Sequence, residues 1–135
     1  MALILSSGTL AVAYAPQRLD SAASVGMNAS HLDMQKLYVY GDYRDDPEPD
    51  AAALWEMLRG REVYALSGSY QPDADIVLYG YADDCGVELC CDGRYAYVKV
   101  HRYDEEKRRG ENLFKGCFVF AEEPDWNALL AAAAH

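Results

Sequence analysis

Five carboxylates fall within nine residues, Asp42, Asp45, Asp46, Glu48 and Asp50. Clustered carboxylate oxygens are what a hard cation such as calcium requires. The spacing does not build a calcium loop, because a loop opening at Asp45 places Pro47 and Pro49 at ligand positions and has no glycine at its centre. The same acids precede an apolar run with helical spacing, where negative charge interacts favourably with a helix N-terminus. A second concentration joins Asp83, Asp84 and Cys85 to Cys90, Cys91 and His101. These are metal-ligand types in no recognised metal spacing, so neither a metal nor a cofactor is expected. Cys117 and His101 offer a nucleophile and a base, a pairing that works only where the fold joins them and the thiol is activated. The chain has no phosphate-cradling glycine loop, no dinucleotide fingerprint, no His-Glu-x-x-His and no Gly-x-Ser-x-Gly elbow. The expectation is a protein that is not an enzyme, with a small enzyme built near Cys117 and His101 as an alternative.

Charge and tyrosine carry more of the argument. The 135 residues hold 22 Asp and Glu against 12 Lys and Arg, a net charge of −10. Residues 1–93 carry 15 acids and 5 bases, whereas residues 94–135 carry 7 of each. The first two thirds therefore hold the whole net charge, and from Glu62 to Asp92 there is no Lys or Arg at all. A field of one sign repels phosphate backbones and attracts basic partners. Tyrosine supplies 11 of the 16 aromatic residues, and it recurs beside the acids. One segment reads Tyr38, Tyr40, Asp42, Tyr43, Asp45, Asp46, Glu48 and Asp50; another reads Tyr79, Tyr81, Asp83 and Asp84. Tyrosine gives flat amphipathic contact area at small entropic cost. Same-face residues of a strand recur about every 7 Å, comparable to the phosphate spacing of a nucleic-acid strand. These two segments are the expected partner-binding surface, and its partner is a basic nucleic-acid-binding protein or complex. Tyr95, Tyr97, Lys99, His101 and Tyr103 have the stacking-plus-cation pattern of a nucleic-acid platform, but the net charge opposes direct nucleic-acid binding.

These residues need elements to hold them. A chain of this length forms about one domain. Ala2–Ser6 and Thr9–Ala15, split by Ser7-Gly8, predict a first hairpin, and residues 17–30 a loop or weak helix. Leu37–Tyr43 alternates, with Leu37, Val39 and Gly41 on one face and Tyr38, Tyr40 and Asp42 on the other. Ala51–Arg59 has Leu54, Trp55 and Leu58 at helical spacing, acids and prolines at its entrance and Gly60 after it, which predicts a helix. Strands are predicted at Glu62–Leu66, Ile76–Tyr81, Val87–Cys91, Arg94–Tyr103 and Leu113–Phe120. A last helix is predicted over Pro124–Ala134. Asp92-Gly93 reads as a two-residue hairpin turn, pairing Leu89 with Ala96, Val87 with Val98, Cys90 with Tyr95 and Glu88 with Tyr97. That turn makes Val87, Leu89, Ala96, Val98 and Val100 core, and leaves Glu88, Tyr95, Tyr97, Lys99, His101 and Tyr103 on a wet face. Glu48-Pro49-Asp50 before Ala53-Leu54 parallels Glu123-Pro124-Asp125 before Ala128-Leu129, which predicts the same capping chemistry on both helices. The expected fold class is α+β, a mainly antiparallel twisted sheet of about six or seven strands with two helices packed on one face.

The four cysteines include an adjacent pair and no Cys-x-x-Cys, a poor framework for disulfides or zinc, so they are expected to be reduced core residues. Ala13-Tyr14-Ala15 mimics a signal-peptidase site, but the start lacks a basic region and Ser6-Ser7-Gly8 breaks its apolar run. No stretch has the ~18 apolar residues of a membrane span, and the expected location is cytoplasmic. By size and charge the chain resembles the small acidic inhibitors of phages and mobile elements, anti-CRISPR and anti-restriction proteins among them. That likeness covers no motif and transfers no residue. It implies a nucleic-acid decoy; an immunity protein masking a toxin nuclease is the neighbouring alternative.

Overall fold

Alternation of apolar and polar residues dominates the chain after Glu62, and strands account for most of it. The computed structural model describes residues 16–24, 32–40, 49–66, 74–82, 84–104, 106 and 108–134. In chain order the elements are β1 (Gln17–Arg18), α1 (Leu19–Ala22), β2 (Asp33–Val39), α2 (Ala51–Leu58), β3 (Glu62–Leu66), β4 (Ile76–Ala82), β5 (Cys85–Asp92), β6 (Tyr95–Asp104), β7 (Arg109–Phe120) and α3 (Trp126–Ala133). The seven strands form one sheet in the order β1-β3-β7-β6-β5-β4-β2, antiparallel at every pairing. The α+β class is as the sequence predicts; among the described residues the strands number seven, within the expected six or seven, and the helices three rather than two. Instead of the loop or weak helix expected over residues 17–30, the chain makes a two-residue strand and the single turn α1. The predicted hairpin over residues 2–15 lies outside the described residues.

Three strands start earlier than alternation predicts: β5 by two residues, at Cys85, and β2 and β7 because a bulge changes the side-chain parity. In β2 the register shifts between Met34 and Lys36, so buried Met34 and half-buried Leu37 and Val39 line the core despite their odd spacing. In β7 the shift lies opposite Val100 and His101, and the strand reaches back from Leu113 to Arg109.

The β5–β6 turn corrects the predicted register. Asp92 pairs with Tyr95, leaving Gly93 and Arg94 as the turn residues; Leu89 therefore opposes Val98, Val87 opposes Val100, Cys90 opposes Tyr97 and Glu88 opposes Lys99. Gly93 sits at φ +57°, and Arg94 is not left-handed, which fits a turn with glycine at its first central position. Side-chain anchoring supports this placement: Arg94 Nε donates to Phe120 O at 3.2 Å, and Trp126 Nε1 donates to Gly93 O at 2.8 Å. A shift of two residues preserves the faces, so Val87, Leu89, Ala96, Val98 and Val100 are core as expected, none more than 1 % exposed.

All three helices pack on that face. Leu54, Trp55 and Leu58 of α2, Trp126, Leu130 and Ala133 of α3, and Leu19 and Ala22 of α1 join one apolar cluster with the inward residues of the sheet. The matched entrances of α2 and α3 have the same cap: Asp50 accepts from Ala53 N at 2.8 Å, and Asp125 accepts from Ala128 N at 3.2 Å. Asp50 N in turn donates to Ala133 O at 2.9 Å, fastening the start of α2 to the end of α3. Asp20 of α1 is 4 % exposed. It accepts from Arg18 Nε and Nη2 at 3.1 and 3.0 Å and from Arg59 Nε at 3.1 Å. Burial alone would raise its pKa, but the hydrogen bonds and charges of Arg18 and Arg59 outweigh burial and hold it below the ordinary carboxylate value.

Candidate docking surface

The register lays the other face of the sheet out as rows. Tyr38, Val77, Cys90, Tyr97, Cys117 and Leu66 follow one another across β2, β4, β5, β6, β7 and β3. The next row is Lys36, Tyr79, Glu88, Lys99 and Lys115, and the one after it Asp33, Tyr81, Gly86, His101 and Asn112. The sequence places Tyr97 on a wet face, and the structure corrects this; Cys90 and Cys117 are core residues, as the sequence predicts. Val77, Cys90, Tyr97 and Cys117 are buried together, with Leu66, Ala74 and Tyr79 packed against them. Small thiols and the body of a tyrosine cluster as apolar groups, whatever their polar tips.

Toward the β2 edge the face is exposed. Tyr38, Tyr40 and Tyr81 are 44, 54 and 48 % exposed, and Tyr95 on β6 is 38 % exposed. Leu113 is the one other large apolar side chain this exposed among the described residues. Tyr38 and Tyr79 meet edge to face, with ring centroids 5.7 Å apart, a favoured aromatic arrangement. Burial, and then the negative charge of Glu88, raises the pKa of Tyr79, which keeps it a neutral phenol. The fold thus joins Tyr38 and Tyr40 to Tyr79 and Tyr81, two segments some forty residues apart, through the β2–β4 pairing.

The acids of the expected surface divide. Asp50 lies at the entrance of α2, across a groove from Tyr38, and its carboxylate also caps the helix. Asp84 sits in the β4–β5 turn, with Oδ2 at 4.0 Å from Arg102 Nη1, at the opposite end of β4 from Tyr40. Asp42, Tyr43, Asp45, Asp46, Glu48 and Asp83 lie outside the described residues. Sequence reasoning missed Gln35 and Lys36, which line the same groove, because the bulge in β2 hides their strand from an alternation search.

The residues considered for covalent chemistry are not assembled. Cys117 is opposite Tyr97, whereas His101 lies four residues further along β6, opposite Asn112, on the order of 13 Å away at strand spacing. The His101 ring lies over Gly86, where a Cβ would come within 2.6 Å of Nε2. All four cysteines are buried, and none is in a disulfide. Burial pushes the Cys90 thiol up to about 12, helped by its hydrogen bond to Glu88 Oε2 at 3.3 Å, and burial also raises Cys91 and Cys117. Raised thiols are poor nucleophiles at neutral pH. Among the described residues no group of three or more His, Cys, Asp and Glu side chains is placed to hold a metal ion, and no helix is long and apolar enough to cross a membrane. No protein-family model, curated protein or solved structure matches the chain.

Proposed function

We propose that this protein is a cytoplasmic, stoichiometric inhibitor that docks its acidic, tyrosine-rich surface on the positive groove of a nucleic-acid-binding protein or complex. The observation that carries the reading is the convergence of Tyr38, Tyr40, Tyr79 and Tyr81 at one edge of one sheet face, three of them about half exposed. Exposed aromatic clusters of this kind are characteristic of interface cores. The chain's net charge of −10 supplies the sign of the partner, since a negative surface accelerates encounter with a positive one.

The test is capture from a cell lysate at low salt, followed by titration of the captured protein against its nucleic acid. The expected result is one-to-one displacement of the nucleic acid, weakening with ionic strength. Reversing Asp45, Asp46, Asp83 and Asp84 to Lys should slow association by one to two orders of magnitude, roughly the range over which charge steering changes on-rates, with the fold intact. Inhibition by the quadruple variant at the parent's rate and affinity in low salt would reduce the acidity to a solubility feature.

A further inference from the structure

The mode of docking is written in the edge of the sheet. Among the described residues β2 pairs only with β4, and no described strand lies along its other side. Tyr40 N donates to Asp75 O at 2.7 Å, and antiparallel ladders alternate between bonded and non-bonded pairs. In this register Tyr38 and Tyr40 are bonded toward β4, and the N–H and C=O groups of Leu37 and Val39 turn outward. Strand edges with unpaired main-chain groups are templates for another strand. The bulge between Met34 and Lys36 limits the regular edge to the stretch that follows it.

Beside this edge runs a groove of about 550 Å³, walled by Gln35, Lys36, Leu37 and Tyr38 on the strand side and by Pro49 and Asp50 at the entrance of α2. Resting on the function proposed above, we infer that the outer edge of β2 receives an extended Lys- or Arg-bearing segment of the partner as an added strand, seated in this groove. Charge selects that occupant. Lys36 and the exposed Asp50 carboxylate offset each other within the groove, so the sign of the field there is set by the surrounding chain, whose net charge is −10. Main-chain pairing to Leu37 and Val39 would give affinity with little sequence dependence, and Tyr38 would cover alternate side chains of the added strand.

The probe is a fluorescein-labelled peptide, Lys-Val-Arg-Val-Lys-Val-Arg, followed by anisotropy with the intact protein. Strand addition uses every second amide of the peptide, so N-methylation of one alternate set should weaken binding about tenfold, the loss expected for edge hydrogen bonds. The other set should change it by less than about twofold. Val39→Pro, which removes an outward N–H but is tolerated at an edge, should cost a similar factor. The methylation series leaves the protein unaltered and so decides the matter even if the proline variant folds poorly. Salt-sensitive peptide binding that is indifferent to which set is methylated overturns strand addition and leaves acidic docking standing. Failure of the peptide to bind overturns strand addition as well, and if no basic partner binds either, the function proposed above falls with it.

Discussion

Replacing Asp20 by Asn removes one negative charge from a site that is 4 % exposed and leaves the side chain almost isosteric. The carboxylate accepts three hydrogen bonds, two from Arg18 and one from Arg59. Hydrogen bonds to charged groups contribute about 1.5–3 kcal/mol when buried. Arg18 is 60 % exposed on its side chain and Arg59 24 %, so solvent screens the first pair strongly and the second dominates. Asn can still accept one bond, and the expected loss is about 2 kcal/mol, read as a shift in urea midpoint at unchanged slope. The pH dependence has a definite sign. Folded Asp20 is held below its ordinary value of 3.8, so the unfolded chain takes up the proton first. Its contribution is complete above the unfolded value, fades as pH falls through 3.8, and is gone below the depressed folded value. The difference between parent and Asp20→Asn should therefore be constant at neutral pH and shrink in acid. A difference within about 0.5 kcal/mol at pH 7, or one that stays constant down to pH 2, would refute the claim that this carboxylate ties α1 to the end of α2.

Three further outcomes follow from packing and backbone geometry. Leu89→Ala, at 0 % exposure between Leu78 and Val98, should cost about 2–5 kcal/mol in chemical denaturation; a surface-like change would mean that the helices cover the opposite face. Gly93→Ala places a Cβ at φ +57° with Glu123 Oε2 the nearest atom at 3.9 Å, so the loss should come from backbone strain alone, about 1–2 kcal/mol by thermal denaturation. Native protein at pH 8 should react slowly with a thiol reagent, because Cys90 is pushed up to about 12 and all four thiols are buried, whereas unfolded protein should titrate four; finding two would indicate a disulfide.

The strands after Glu62 were legible because one face of each is apolar and the other is not, and α2 was legible from Asp50, the Leu54-Trp55-Leu58 spacing and Gly60. What escaped the sequence depends on contacts made elsewhere in the chain. Arg94 belongs to the β5–β6 turn because it bonds Phe120, and Trp126 reaches Gly93 from a helix more than thirty residues on. Neither contact has a local signature, so alternation and the Asp-Gly pair alone place the register two residues short. The bulge hides the N-terminal half of β2 from alternation, and the polar tip of Tyr97 hides its burial. For the candidate surface, the tyrosines and acids were readable as types. That Tyr38 and Tyr79 touch follows only from the pairing of β2 with β4, and the groove follows from where α2 begins beside that edge.

The two faces of this sheet separate stability from recognition. The inward residues of β4, β5 and β6 are buried under three helices, so substitutions there act through cavities and unfold the protein before they inform on binding. Tyr38, Tyr40 and Tyr81 make no such contribution to that core, and exposed positions tolerate substitution within about 0.5 kcal/mol. Loss of binding in a Tyr38, Tyr40 and Tyr81 triple alanine variant with an unchanged urea midpoint would therefore place recognition on the tyrosine edge. The same loss accompanied by a lowered midpoint would place it in the fold, because an aromatic that stabilises the sheet cannot be removed without moving the equilibrium.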